Sequence, residues 1–136
     1  MPLSDIDNML SLVALAILAD DHVHQVEIDV FAMMAQKLPV LNLGHKKMNE
    51  IDLRSWYQAH QIRLFKFKNS PDYDNLLSEA INRVRHVEDR RAILLAMLSI
   101  AKSDQIFHSH EKNLILHLSE RWNIELPLGK IANPAI

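Results

Sequence analysis

The feature that most constrains the fold of this chain is a plan that occurs twice: an apolar helix, a short acidic turn and a second apolar helix. The two copies span 12–34 and 96–118 and lie 84 positions apart. Their turns share three polar residues, pairing Asp20 with Asp104, His24 with His108 and Glu27 with Glu111. Apolar positions recur at helical spacing on both sides of each turn, which is typical of two antiparallel helices. The duplication predicts two pseudo-symmetric helical hairpins, and we expect their packing to bring the acidic turns together.

The scarcity of glycine supports a helical fold. Only Gly44 and Gly129 occur among 136 residues, and neither lies in a glycine-rich loop. Phosphate-binding loops and short β-hairpins both draw on glycine, so P-loop and dinucleotide-binding proteins are excluded and a sheet protein is disfavoured. The length is that of one domain. We predict a single all-α bundle of about six or seven helices over residues 1–126, followed by an irregular tail over 127–136.

Capping residues and prolines predict the helix boundaries. Ser4 and Asp7 have the spacing of a capping box at the start of the first helix. Pro39 is expected to end the second helix, and Ser70 with Pro71 has the pattern of an N-cap followed by the first helical residue. The predicted helices span 5–19, 25–38, 47–67, 71–83, 88–103 and 109–122.

Net charge and cysteine content indicate which binding partners and which cellular compartment the protein can have. The formal net charge is −2 and the pI is near 6.4, which argues against nucleic acid because phosphate binding needs a basic surface. The chain has no cysteine and no basic, signal-like N-terminus. Its apolar run from Met9 to Ala19 is shorter than the roughly 20 residues that span a bilayer. We therefore expect a soluble, cytoplasmic protein.

Helix capping is the simpler interpretation of the acidic turns. Glu27 and Glu111 follow a histidine at the expected N-cap by three residues, where a glutamate closes a capping box and favours the helix dipole. Asp20 and Asp104 do not fit this interpretation, because each lies near the C-terminal end of the preceding helix, where a negative charge opposes the dipole. The matched position of both aspartates calls for another explanation.

A divalent metal site is the functional interpretation of the same residues. The four carboxylates of the two turns are hard oxygen ligands that suit Ca²⁺, Mg²⁺ or Mn²⁺, and a cation would relieve their mutual repulsion. His24 and His108 would favour Zn²⁺ or another transition ion if they also bind. The spacing is not that of an EF-hand loop, which has denser ligands and a central glycine.

The duplicated pattern resembles the TerB-like family, an all-helical domain of tellurite-resistance operons that also occurs in a membrane-anchored DnaJ-type co-chaperone. The resemblance covers roughly residues 5–124. It is carried by the segments 16–27 and 100–111, by Trp56-Tyr57, by Ser70-Pro71-Asp72-Tyr73 and by the stretch 118–124. The family resemblance implies metal binding through Asp20, Glu27, Asp104 and Glu111.

This chain departs from the family pattern at two positions of each turn. The usual glycine after the aspartate is replaced by Asp21 and Gln105, and the usual serine or threonine N-cap is replaced by His24 and His108. These replacements keep the turn but bring imidazole next to the carboxylates. A site with oxygen ligands alone is therefore not the only arrangement that the sequence allows.

We interpret the chain as a non-enzymatic metal-binding or interaction module linked to stress response or tellurite resistance, with a protein partner. Two alternatives stay open: a metal-dependent enzyme that uses the same cluster, and a plain interaction bundle whose acidic residues only cap helices. The sharpest basic patch is 63–68, Arg-Leu-Phe-Lys-Phe-Lys. Its cations can satisfy a helix C-terminus, or with the aromatic residues they can form a surface for anionic lipid headgroups or an acidic partner.

Overall fold

A computed structural model describes residues 4–18, 25–39, 41, 48–103 and 109–125, with side chains from residue 112 onward in the last range. This part of the chain is helical and contains no strand, so the all-α prediction is confirmed. The helices are α1 (Asp5–Leu18), α2 (Gln25–Ala35), α3 (Glu50–Lys68), α4 (Tyr73–Arg83), α5 (Val87–Lys102) and α6 (Ser109–Trp122). None of these helices is long and apolar enough to cross a bilayer.

The first helix is the centre of the bundle. Every residue of α1 from Asn8 to Leu18 is buried, and α1 contacts each of the other five helices. A helix that is apolar on all sides is stable only when it is enclosed by protein or lipid. Its two buried polar side chains are satisfied within the bundle. The amide of Asn8 donates to the carbonyl of Ala80 at 3.0 Å, and the hydroxyl of Ser11 donates to the carbonyl of Asp7 at 2.6 Å.

Capping hydrogen bonds at the starts of α1 and α3 confirm one predicted boundary in part and correct another. The amide of Asp7 donates to Ser4 Oγ at 3.1 Å, which confirms half of the predicted capping box. The start predicted at residue 47 is wrong, because α3 begins at Glu50. Asn49 and Asp52 form a reciprocal capping box there, with bonds of 2.9 and 3.1 Å.

Two further boundaries are corrected by tight turns. Pro71 is not the first residue of α4, because Ser70 Oγ accepts from the amide of Asp72 and the Ser70 carbonyl accepts from the amide of Tyr73, each at 3.1 Å. The turn delays the helix start to Tyr73. The second helix ends at Ala35 rather than 38, since the next amides bond three residues back, as in a 3₁₀ turn.

Helices α1 and α3 run in the same direction. Their contacts advance together along both helices: Trp56 Nε1 donates to Asp7 Oδ1 (2.8 Å), Arg63 Nη2 donates to Ser11 Oγ (2.9 Å), and Lys68 Nζ donates to the carbonyl of Leu18. Helix α4 runs the opposite way, because its last residue, Arg83, pairs with Asp5 at the start of α1.

Helix α5 begins beside the start of α1. His86, just before α5, lines one small cleft with Asp5 and Met9 of α1. The two helices then pack along each other, with 14 residues in α1 and 16 in α5. Helices of similar length that start together and pack side by side also end together. The C-terminal ends of α1 and α5 therefore lie at one end of the bundle, which we call the turn end.

The last helix returns from the turn end. Trp122 Nε1, at the C-terminus of α6, donates to the carbonyl of Ile81 at 3.1 Å, and the guanidinium of Arg90 lies 5.8 Å from the Trp122 ring centre. These contacts place the end of α6 beside the start of α5, so the two helices are antiparallel. Helix α2 packs on α3, where Asp29 binds Arg54 and Phe31 packs against Tyr57. Because α1 and α5 both end at the turn end, the chain leaves both helices there and continues into the second helix of each predicted hairpin.

Candidate metal site

The structure describes only part of the predicted metal site. Asp20, His24, Asp104 and His108 lie outside the described residues, and Glu111 is described only as a backbone position in α6. Glu27 is described in full. Within the described ranges, no group of three or more His, Asp or Glu side chains is arranged to hold a metal ion. The metal site stays a prediction.

Glu27 lies in the first turn of α2 and its side chain is fully buried, with an exposed fraction of 0%. Its place at the start of the second helix agrees with the prediction, since α2 begins at Gln25. An ionised carboxylate out of water is stable only beside hydrogen-bond donors or positive charge. The repeated glutamate of the first copy is therefore enclosed by the protein, unlike the exposed Glu79 and Glu88 at other helical positions.

The charge of Glu27 affects the pKa of the neighbouring residue Tyr57. The tyrosine is 1% exposed and its ring centre lies 6.0 Å from that of Phe31 on α2. Burial raises the pKa of the Tyr57 phenol above its ordinary value of 10.0, and the negative charge of Glu27 raises it further. Tyr57 is thus a neighbour of the candidate site that the sequence pattern of the turns did not indicate.

Lys68 connects α3 to the turn end. Its ammonium group donates to the carbonyl of Leu18, the last residue of α1. Carbonyls in the last turn of a helix lack partners within the helix and favour a positive charge. One interpretation of 63–68 from the sequence is that its cations satisfy a helix C-terminus. Lys66 and Lys68 lie in the last turn of α3, and Lys68 also satisfies the end of α1, a contact that only the side-by-side packing of α1 and α3 creates.

A polar cleft of about 400 Å³ lies between α2 and α3 near Glu27. Asp29 and Arg54 form an ion pair beside it, and hydrogen bonds from Gln25 and then Arg54 hold the pKa of the Asp29 carboxyl below its ordinary value. The described lining of the cleft consists of Gln25, Ile28, Arg54, Tyr57, Gln58 and Gln61. This described lining includes no carboxylate, so the cleft by itself does not form the predicted carboxylate site.

The described helices define the class of this protein: a small all-α bundle packed around a buried first helix. The family model of tellurite resistance protein TerB matches residues 7–125. This range covers most of the chain, and the protein belongs to the TerB family. Comparison with curated proteins and with solved structures gives no significant match.

Alkaline titration tests the burial of the two tyrosines. Burial also raises the pKa of Tyr73, with a smaller contribution from Asp74. Because the folded protein holds these protons more tightly, the stabilisation is fully present below about pH 10 and is lost as the pH rises through the folded-state pKa. We expect the tyrosinate absorbance to rise at higher pH in the native protein than in urea. The variant Tyr73→Phe isolates Tyr57, and equal midpoints with and without urea would contradict the prediction.

Proposed function

We propose that this TerB protein is a non-enzymatic module that binds a divalent cation at the turn end of its bundle. Asp20, Glu27, Asp104 and Glu111 are the proposed ligands. His24 and His108 are proposed as additional ligands in the same two turns. By its family, we further propose a role in tellurite resistance or stress response, exerted through a protein partner.

The observation that supports this proposal most is the shared orientation of the two hairpins. Because α1 and α5 start together and pack side by side, both duplicated turns are connected to the same end of the bundle. A random pairing of two hairpins could have put the turns at opposite ends, roughly 20 Å apart at 1.5 Å per helical residue. Carboxylates from both copies can therefore contribute to one site.

The burial of Glu27 supports the proposal independently. A glutamate that only caps a surface helix can stay in water, where it interacts with the dipole at little cost. Glu27 is instead withdrawn from water completely. A cation beside it would offset the cost of burying its charge, and it would also relieve repulsion from the other acidic residues. Oxygen ligands alone favour Ca²⁺, Mg²⁺ or Mn²⁺, whereas binding by the histidines favours Zn²⁺.

Metal content and thermal stability test the proposal together. We expect the purified protein to contain a stoichiometric divalent ion by elemental analysis and to melt at a lower temperature in EDTA, because a ligand bound to the native state stabilises it. The double variant Asp20→Asn with Asp104→Asn should lose both the ion and the response to EDTA. It keeps the side-chain shapes and removes only two charges.

A matched control separates metal binding from a general effect of charge. Asp74→Asn with Glu79→Gln removes two exposed charges from α4 and should keep the ion and the EDTA response. Absence of the ion, no change in melting temperature with added Ca²⁺, Mg²⁺, Mn²⁺ or Zn²⁺, and a double Asn variant as stable as the parent would overturn the proposal. The acidic residues would then be helix caps in an interaction bundle.

A further inference from the structure

The C-terminal half of α3 combines exposed apolar side chains with an unusual charge distribution. No aspartate or glutamate occurs from Leu53 to Pro71, although the whole chain has a net charge of −2. Within this acid-free stretch, Ile62 is 69% exposed and Phe65 is 59% exposed. They lie three residues apart, so they project from one side of the helix. Two large apolar side chains are thus presented to solvent in the most basic part of the chain.

Three cations lie close to this apolar pair in the sequence. Arg63, Lys66 and Lys68 place three positive charges within six residues, and Lys66 is exposed beside Phe65. The guanidinium of Arg63 is held toward α1 by Ser11, and Lys68 is anchored at the end of α1. These contacts fix the rotation of α3 about its axis. Ile62, Phe65 and Lys66 therefore face outward as a consequence of the packing.

The surface between the apolar pair and the bundle is also apolar. Ile62 and Phe65 border a shallow groove of about 260 Å³ whose described lining is completed by Leu18, Tyr57 and Gln61. Carbon atoms dominate this lining, so the exposed apolar area extends beyond the two projecting side chains. We call the surface formed by Ile62, Phe65 and Lys66 the α3 patch.

We propose that the α3 patch docks the protein on the surface of a bilayer that contains anionic lipid. Aromatic and aliphatic side chains next to lysine or arginine are typical of segments that lie at the boundary between headgroups and acyl chains. The apolar groups enter the boundary region, while the lysine stem follows them and its ammonium group stays with the headgroups. The lack of acidic residues along the helix removes the repulsion that an anionic surface would otherwise exert.

A bilayer fits this patch better than a protein partner does. The centres of protein interfaces are enriched in aromatic residues but depleted in lysine, and a stable interface needs about 800 Å² from each partner. The α3 patch has two projecting apolar residues with lysine beside them, which is a small area for a protein interface. Anionic headgroups complement its charge directly, and binding of this kind needs no deep pocket.

Co-sedimentation with vesicles tests the proposal. We expect the protein to sediment with vesicles of phosphatidylcholine and phosphatidylglycerol at low salt, and not with phosphatidylcholine alone. Binding should weaken in about 1 M salt, where the Debye length falls to about 3 Å. All samples contain EDTA, so that a bridging metal ion cannot produce the binding. This condition also keeps the outcome independent of the metal site proposed above.

Variants of the patch define the surface that binds. Phe65→Ser should lower the vesicle partition coefficient about tenfold, and Lys66→Glu should lower it at least about fivefold, because one positive charge near an anionic surface contributes about that factor. Both side chains are exposed, so the variants should keep the helical content of the parent.

Two control variants match these changes elsewhere on the protein. Leu95→Ser removes a 51% exposed apolar side chain from α5, and Lys37→Glu makes the same change of charge in the turn after α2. Both should bind vesicles like the parent. Equal loss with the control variants, or no sedimentation with anionic vesicles at low salt, would overturn the proposal. If the protein does not sediment with anionic vesicles, a protein partner would be the remaining occupant of the α3 patch.

Discussion

Replacing Trp56 by alanine is expected to lower the free energy of unfolding by about 3–5 kcal/mol, the range for removing a large aromatic side chain from a core. Trp56 is a residue of α3 that contacts both α1 and α2. Its ring centre is 5.9 Å from that of Phe31 and 4.4 Å from that of His60, and its Nε1 donates to the carboxylate of Asp7 at 2.8 Å. One side chain thus connects three helices by packing and by a charge-assisted hydrogen bond.

Two companion variants divide this effect into its parts. Trp56→Phe keeps most of the packing but removes the hydrogen bond to Asp7, so it should cost less than Trp56→Ala. Ile62→Ala removes an apolar side chain from the same helix, but that side chain is 69% exposed and the change should stay within about 0.5 kcal/mol. Urea unfolding followed by circular dichroism measures all three. Similar costs for Trp56→Ala and Ile62→Ala would show that the assigned face of α3 is wrong.

Glu27→Gln is the second substitution with a large expected effect, about 3 kcal/mol of destabilisation. The change keeps the size of the side chain but removes its charge, so a cation or hydrogen-bond donor that offsets the burial of this charge would lose its partner. Chemical denaturation with and without EDTA measures the effect. If the carboxylate binds a cation, the variant should also lose the response to EDTA, whereas Glu79→Gln on the exposed face of α4 should change neither quantity.

Tyr57 provides a spectroscopic readout of the same substitution. The negative charge of Glu27 contributes to the raised pKa of the Tyr57 phenol, after the larger contribution of burial. Removing that charge should move the tyrosinate titration to lower pH, part of the way back to the ordinary value, in a Tyr73→Phe background. An unchanged titration together with unchanged stability would mean that Glu27 does not act as a buried charge at this site.

Helix positions followed from the sequence to within a few residues because they depend on local chemistry. The final helix was predicted over 109–122 and is observed as Ser109–Trp122. The errors lie where two local signals compete. Ser70 and Pro71 have the pattern of a helix start, but the Ser70 hydroxyl and carbonyl close a turn that delays the helix to Tyr73. The capping box of Asn49 and Asp52 was missed, although its residues and spacing were present in the sequence.

Burial followed less well from the sequence, because apolar spacing does not identify which face of a helix is covered. Among the large apolar residues of α3, Trp56 is buried while Ile51, Ile62 and Phe65 are exposed. The rotation of α3 is set by its contacts with Asp7, Ser11 and Leu18 of α1. These partners are about 50 residues away in the chain, so no local pattern could indicate them.

The sequence by itself determined the class of fold, the family and the duplicated acidic residues, since repeated motifs and helical spacing are properties of the chain. The tertiary structure alone decided that α1 and α5 run side by side from a common end, that Glu27 is enclosed, and that Lys68 lies at the end of α1. The physical reason is that burial and electrostatic neighbours arise from contacts between distant segments. Such contacts depend on the packing of whole helices, which the spacing of residues within one helix does not specify.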